Sequence, residues 1–377
     1  MKNYLVYLNK FFFGGLIGFF GWGINSPLCV LSFLIMLGYF TEKRIHFFLI
    51  MLGYYLAASR GLLAGTIVYY KEYMFSFAVW FVAALIVSFA WVLLWGQKKT
   101  TKSIFFIITL IIITLPPVGL ISWVNPLLAS AYFFPGFGYF GILLYIAIIF
   151  LSIFFKKKFF FGVCIVCIGL LSSININAIK YKDIADFKTQ FGELKEDDLL
   201  KSFKNQKSFL KLANNSEKNT ILLAENALGF LNNSNMLVWG NLEDNKTVFA
   251  GATYQTETKK TDNVLALLRK DKYKIVYKQR VPVLFSMWKP WSDYGTTLNI
   301  FEKSVFEEDG VYFGVFICYE QLLLFTLLET MYYEPDVILA VSNLWWAKNT
   351  SIKKIENTNI ELISILFNKP YSFAVNE

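Results

Sequence analysis

The stretch Gly314-Val315-Phe316-Ile317-Cys318-Tyr319-Glu320 ends an apolar run on one cysteine, with a carboxylate two residues on. Val311 to Ile317 reads as a buried strand, and strand ends of α/β folds present catalytic side chains. A thiol becomes a strong nucleophile when a base removes its proton. The usual base is histidine, and the chain has a single one, His46, in an apolar stretch far upstream. That argues against a Cys-His pair and against a His-rich metal site. No metal and no cofactor is expected. The base for Cys318 is then a carboxylate or a lysine. Two other apolar strands end on such groups: Thr220 to Ala224 on Glu225, and Tyr273 to Tyr277 on Lys278. Taken singly each has a plain explanation, because strands commonly end in charge.

The elements that must position these groups divide the chain into two unlike halves. The 377 residues are 56% hydrophobic and 19% aromatic, with 39 Phe. That is too apolar for an ordinary soluble protein and suits an integral membrane protein. Almost all long apolar runs lie before residue 176, and from Lys180 onward the chain is charged and rich in Asn and Lys. About seven membrane spans are expected, each needing roughly 20 residues: 4–23, 27–41, 46–68, 73–96, 103–123, 138–155 and 159–175. The first run lacks a clear small-residue cleavage site and reads as an uncleaved helix.

The loops between these runs alternate in charge. Lys43-Arg44, Lys98-Lys99 with Lys102, and Lys156-Lys157-Lys158 alternate with the poorly charged 25–27, 70–72 and 125–139. The positive-inside rule puts the N-terminus and the three basic loops in the cytoplasm. Everything after about residue 176 then lies outside the inner membrane, in the periplasm of a two-membrane host. Much of the net charge of +9 sits in these loops, so it reports membrane orientation, and nucleic acid is not an expected partner.

Several residues in the spans have readings besides chemistry. Cys164 and Cys167 form a C-x-x-C spacing, but in a membrane helix cysteine packs as a small apolar residue, as Cys29 does. No disulfide framework is indicated. Arg60 either meets a lipid headgroup or satisfies itself on a carbonyl. Pro116-Pro117 is expected to kink the fifth span. The glycine-rich aromatic loop Phe133 to Tyr139 either dips into the outer leaflet or forms an ordinary aromatic belt.

The second half opens on a polar segment, 177–219, that reads as a linker plus a helix. Strand-like runs follow at Thr220 to Ala224, Met236 to Trp239, Val248 to Thr253, Val264 to Leu268 and Tyr273 to Tyr277, with turns at Glu243-Asp244-Asn245 and Lys270-Asp271-Lys272. The strand before Cys318, a helix at 321–333, a strand at Val337 to Val341 and a helix at 351–367 complete the pattern. Strands interleaved with helices and hairpins predict a layered α/β sandwich. Domain boundaries are expected at 1–176 and 177–377.

In this order, Glu225, Lys278 and Cys318 resemble the catalytic triad of the nitrilase (carbon–nitrogen hydrolase) superfamily. The membrane branch of that family, apolipoprotein N-acyltransferase, has several spans before an outward-facing nitrilase domain. Leu223-Ala224-Glu225, Tyr277-Lys278-Gln279-Arg280 and Ile317-Cys318-Tyr319-Glu320 carry the likeness, with Val341-Ser342-Asn343 and Ala374-Val375-Asn376 downstream. Val283 to Trp291 and Asn343 to Ala347 look most like conjugal-transfer TraB-type proteins. There are departures. A glutamate after the lysine is replaced by Ser286, and Asn343 is followed by Leu344-Trp345-Trp346. The resemblance also implies further strands and a last span beyond Glu377, so a C-terminally shortened αββα sandwich is expected.

The resemblance implies that Glu225 is the general base, that Lys278 favours the thiolate and steadies the oxyanion, and that Cys318 forms a thioester. Glu320 would orient Lys278 or the second nucleophile. Tyr319 would offer a backbone N–H to the oxyanion, Asn343 would support the site, and Trp288, Trp345 and Trp346 would wall it. A site held at the membrane beside 124–139 favours a phospholipid acyl donor and an amine or protein acceptor, with water as the hydrolytic alternative. Two classes stand: a membrane-bound acyltransferase or amidase, and a nitrilase-like scaffold in conjugal transfer whose triad is unused.

Overall fold

A computed structural model describes residues 2–152, 157–194, 199–258, 260–270 and 272–377. Lys156, the end of the expected span 138–155, residues 195–198 of the expected polar segment, and Asp271 lie outside the described residues. The chain forms two compact units. The first comprises Met1–Ile179 with Leu322–Phe325 and Asn349–Asn368, and the second comprises Lys180–Gln321, Thr326–Lys348 and Lys369–Glu377.

The first unit is helical: α1 (Lys2–Gly21), α2 (Ser32–Thr41), α3 (Arg44–Ala58), α4 (Arg60–Tyr70), α5 (Tyr73–Leu93), α6 (Lys99–Thr114), α7 (Ser130–Phe133), α8 (Gly138–Ser152) and α9 (Lys158–Ser173). Among the described residues two of these, α1 over Tyr4–Gly21 and α5, are long and apolar enough to cross a membrane, and the number rises to four if two bent pairs each count as one span. The expected spans break at identifiable residues. Ser59 interrupts α3–α4 with a 50° bend, and α7 and α8 meet at 104° around Pro135-Gly136. Helix α6 stops at Thr114, one residue before Leu115-Pro116, because the residue preceding a proline is pushed out of the helical region. Gly14 and Gly18 of α1 face the α3 backbone so closely that a Cβ would collide with it, so their lack of a side chain sets this crossing. Arg60 satisfies itself on carbonyls: Nη1 donates to Ala57 at 3.0 Å and Nη2 to Trp22 at 3.1 Å.

The second unit is a sandwich of two sheets. One has the order β1 (Ile184–Asp186), β3 (Thr220–Leu222), β4 (Thr247–Gln255), β5 (Thr261–Arg269), β6 (Lys272–Lys278). The other runs β2 (Lys188–Thr189), β10 (Tyr371–Asn376), β9 (Val337–Asn343), β8 (Val311–Ile317), β7 (Val305–Glu308). The sheets meet through Phe249, whose ring lies 5.7 Å from Phe306 and 5.4 Å from Phe313. On the other face of the first sheet, Val248, Ala250, Ala252, Val264, Ala266 and Leu268 pack with Phe209 and Ala213 of α10 (Leu199–Asn214) and Trp239 of α11 (Asn233–Trp239). The second sheet's outer face receives α12 (Leu324–Tyr332), where Thr330 lies over Gly314.

Two readings of the sequence change. Met236 to Trp239, expected as a strand, is the end of α11: Val238 and Trp239 bury one helical face while Leu237 points to solvent. The helix expected at 351–367 forms as α13 (Ile352–Phe367), but it clusters with the first unit. There Glu361 accepts from Ser26, the Gly136 N–H donates to Ile365 O at 2.9 Å, and Phe367 packs on Tyr139. The aromatic loop 133–139 is thus clasped by α13.

Candidate thiol–carboxylate site

Cys318 sits where β8 turns into a 3-10 segment, Cys318–Leu322, and its backbone is left-handed at φ 50°. That conformation costs a non-glycine residue on the order of 1–3 kcal/mol unless its surroundings enforce it. Glu320 enforces it. One carboxylate oxygen accepts from Ile317 N at 2.7 Å, folding the turn back on the strand. The other accepts from Tyr277 Oη at 2.7 Å, Arg280 N at 2.6 Å and Val281 N at 3.2 Å. Arg280 lies behind this group, donating from Nε to Tyr277 Oη at 3.0 Å and from Nη2 to Thr330 at 2.9 Å, and pairing with Glu329. Burial pushes the Glu320 carboxyl up, and the adjacent Arg280 pulls it back. Glu320 makes no contact with Lys278. It ties the cysteine turn to the end of β6.

Glu225 follows β3, which hydrogen bonds onward through Leu223 N to Phe249 O at 2.8 Å. Its backbone lies against Gly251, where a Cβ would overlap Glu225 Cα, so only glycine permits this approach. Glu225 is buried, 7% exposed as a residue. It accepts from Asn263 Nδ2 at 2.9 Å and from the Asn343 backbone N–H at 2.8 Å, and it is hydrogen-bonded to the Cys318 thiol. Burial raises its pKa to about 7, against the lowering effect of the bonds from Cys318 and Asn343. Asn343 ends β9, and its side chain is held by Asn376 Nδ2 at 2.6 Å, which brings the Asn-ended β10 into the support of the site. Cys318 and Glu225, far apart in sequence, are therefore brought together.

Lys278 does not join them. Its Nζ lies 3.4 Å from Asp262, and its side chain is 44% exposed. The cause is a β-bulge. Strand β6 pairs Ile275 with Ala266 but Tyr277 with Leu265, leaving Val276 as the extra residue. A regular strand continuing from Ile275 would set Lys278 opposite Asn263. The bulge shifts the phase by one, so Lys278 pairs with Val264 and faces the other way. Gln279 takes the place opposite Asn263, donating its N–H to Asn263 O at 2.7 Å. The Gln279 side chain is buried. Its Oε1 accepts from Asn263 Nδ2 at 3.0 Å, and its Nε2 donates to Ile317 O at 2.9 Å.

Tyr319 is buried within the turn after Cys318. Trp345 and Trp346, both half-buried, follow Asn343 in a 3-10 turn, Trp345–Ala347. Trp288 packs on Phe285 at 6.4 Å in the segment after β6. Sequence reasoning missed Asn263, Gln279 and Gly251. The visible signal was a polar residue immediately before the apolar run of β5 and a glycine inside β4. Chemically, the pair can pass a proton from sulfur to a buried carboxylate that two N–H donors hold in place.

No family model matches the sequence. Solved structures similar in part include an amidase from Nesterenkonia sp., 8% identical, covering 44% of this chain and 67% of that one, with a TM-score of 0.33. Another is glutamine-dependent NAD+ synthetase from Acinetobacter baumannii, 17% identical, covering 42% of this chain and 32% of that one, with a TM-score of 0.32. Among characterised sequences, the chain is 26% identical over 350 residues to conjugal transfer protein TraB of Agrobacterium fabrum, covering 85% of this chain and 81% of the relative. Over 373 residues, 96% of its own length and 95% of the relative's, it is 27% identical to a probable conjugal transfer protein TraB of Sinorhizobium fredii.

Proposed function

We propose that this chain is a membrane-anchored thiol enzyme of nitrilase type, in which Cys318 is the nucleophile and Glu225 the base, acting in conjugal transfer. The observation that carries the reading is the buried hydrogen bond between the Cys318 thiol and Glu225 at the end of two strands from facing sheets. Sγ attacks an acyl carbonyl carbon, forming a C–S bond while its proton passes to the Glu225 carboxylate. The tetrahedral intermediate expels an alcohol or amine, which leaves with that proton. An incoming amine or water then attacks the thioester, gives its proton to Glu225, and the proton returns to sulfur. The Tyr319 N–H is the proposed oxyanion donor. Trp345 and Trp346 are the proposed pocket walls, with Trp288 a weaker one.

The apolar first half, with its two helices of spanning length, supports anchorage in a bacterial inner membrane with the sandwich on the periplasmic side. A phospholipid as acyl donor fits that anchorage, and an amine-bearing acceptor is part of the same proposal. Similarity to conjugal transfer proteins over nearly the whole chain supports the cellular setting. The position of Lys278 on Asp262 favours a second reading, a nitrilase-like scaffold with no turnover.

A thiol-directed alkylating probe separates the two. In the enzyme, Cys318 labels rapidly at neutral pH and Glu225→Gln slows it at least about a hundredfold, the scale of a lost general base. Equal labelling in both proteins supports the scaffold.

A further inference from the structure

In the expected triad a lysine stands beside the carboxylate and the thiol. Here that space, opposite Asn263 on the face between the sheets, is filled by an amide. Asn263 Nδ2 donates both to Glu225 at 2.9 Å and to Gln279 Oε1 at 3.0 Å. Gln279 Nε2 then donates to the carbonyl of Ile317, the residue immediately before Cys318. Each donor and acceptor in this chain fixes the next. A free carbonyl lone pair on Ile317 demands the Gln279 NH2, which turns its oxygen to Asn263, which turns the Asn263 NH2 to Glu225. The chain starts at the carboxylate and ends one residue from the sulfur. Among the described residues, Glu225 forms no ion pair, and the nearest lysine in sequence to Gln279 is engaged by Asp262.

We propose that Asn263 and Gln279 are positioning residues of the thiol site, an amide bridge that holds the Glu225 carboxylate and the Cys318 turn in register where a lysine was expected. This rests on Cys318 and Glu225 being the reacting pair. The bridge has two effects. The Asn263 N–H favours the ionised carboxylate against its burial, and Gln279 pins the last carbonyl of β8 so that the left-handed turn at Cys318 keeps its direction. Among the described residues Glu225 forms no ion pair, so on proton transfer its negative charge leaves a carboxylate that no cation balances and appears on sulfur. Such a site suits an acyl group that is neutral at its carbonyl end, as an ester or amide is, and disfavours one with an anionic group next to that carbonyl.

The test uses the full chain in lipid nanodiscs and reads the ionisation of Glu225 in two ways. The first is the pH dependence of Cys318 alkylation by iodoacetamide, quantified on the Cys318 peptide. The second is the pH dependence of the unfolding temperature relative to Glu225→Gln, which needs no thiol reactivity. Asn263→Leu is expected to raise the half-point of both profiles by about one pH unit, because the carboxylate loses a donor that favours its charged form. Asn263→Ser, which keeps a small polar group too short to bridge, serves if the leucine variant does not fold and is expected to shift them the same way. Gln279→Leu is expected to slow labelling several-fold, and Lys278→Met to leave it within twofold. Half-points unmoved by either Asn263 variant, or a tenfold slowing in Lys278→Met with none in Gln279→Leu, overturn the bridge while leaving the Cys318–Glu225 reading intact. A wild-type Cys318 that does not label, with the unfolding profile still shifted by Asn263→Leu, overturns the thiol chemistry and leaves the bridge standing.

Discussion

Two buried carboxylates stand at the same end of the sandwich, and they are used differently. Glu320 is wrapped by three backbone N–H groups and a tyrosine hydroxyl, with Arg280 Nε 3.7 Å away. Glu225 has two amide donors and a thiol, and among the described residues it forms no ion pair. The first is fully buried, engaged by four donors of the fold and beside Arg280, so it holds shape. The second is uncompensated, and its proton affinity sits near neutrality. A carboxylate next to a cysteine in sequence is therefore the structural one, and the distant carboxylate is the one that meets the sulfur.

The contrast can be broken at its structural member first. Glu320→Gln leaves Arg280 with Glu329 as its carboxylate partner and takes the charged acceptor from the four donors that fold the turn. Breaking one partner of a buried pair costs about 3–5 kcal/mol, so the variant should lose folded protein in a detergent-extraction and thermal-melt assay. Glu225→Gln should do the reverse above neutrality. The folded carboxyl titrates near 7, above its ordinary 4.5. Its contribution is therefore most favourable below about 4.5 and is lost as pH rises through 7. Removing the titration should stabilise the protein by about 3 kcal/mol at most at pH 8 and by little near pH 4.5, seen as a difference in unfolding temperature that grows with pH.

Gly251→Ala presses a methyl group into the Glu225 backbone. It should cost about 1–3 kcal/mol as an overpacked site and slow Cys318 labelling together with it. Gln279→Lys would set an ammonium opposite Asn263 and sharpen the comparison by giving Glu225 a cation. The labelling half-point should fall by about one pH unit, equivalent to about 1.4 kcal/mol. Lys278→Met, acting on a half-exposed ion pair, should change stability by less than about 1 kcal/mol.

Much of the sandwich was legible because its signals are local. Apolar runs bounded by turns marked β4, β5, β6, β8 and β9, and Glu225 and Cys318 were found as polar residues ending such runs. The phase of β6 was not legible. Tyr277, Lys278 and Gln279 are consecutive, and which of them faces the carboxylate depends on one extra residue, Val276, that no periodicity announces. The strand read at Met236 to Trp239 was four apolar residues, too few to distinguish a period of 2 from one of 3.6. About seven spans were expected, and among the described residues two helices, or four with the bent pairs, are long and apolar enough to cross a membrane. Mean apolarity does not register the breaks at Ser59, Leu115 and Pro135 that decide whether a run is one straight helix.

The most direct test of the Cys318–Glu225 account is intact-mass spectrometry of the protein purified from its own membranes, wild type beside Cys318→Ser. The account predicts a hydroxylamine-sensitive mass increase of fatty-acyl size in the wild type, absent from Cys318→Ser. No adduct in either protein, with Cys318 also inert to alkylation, would contradict it.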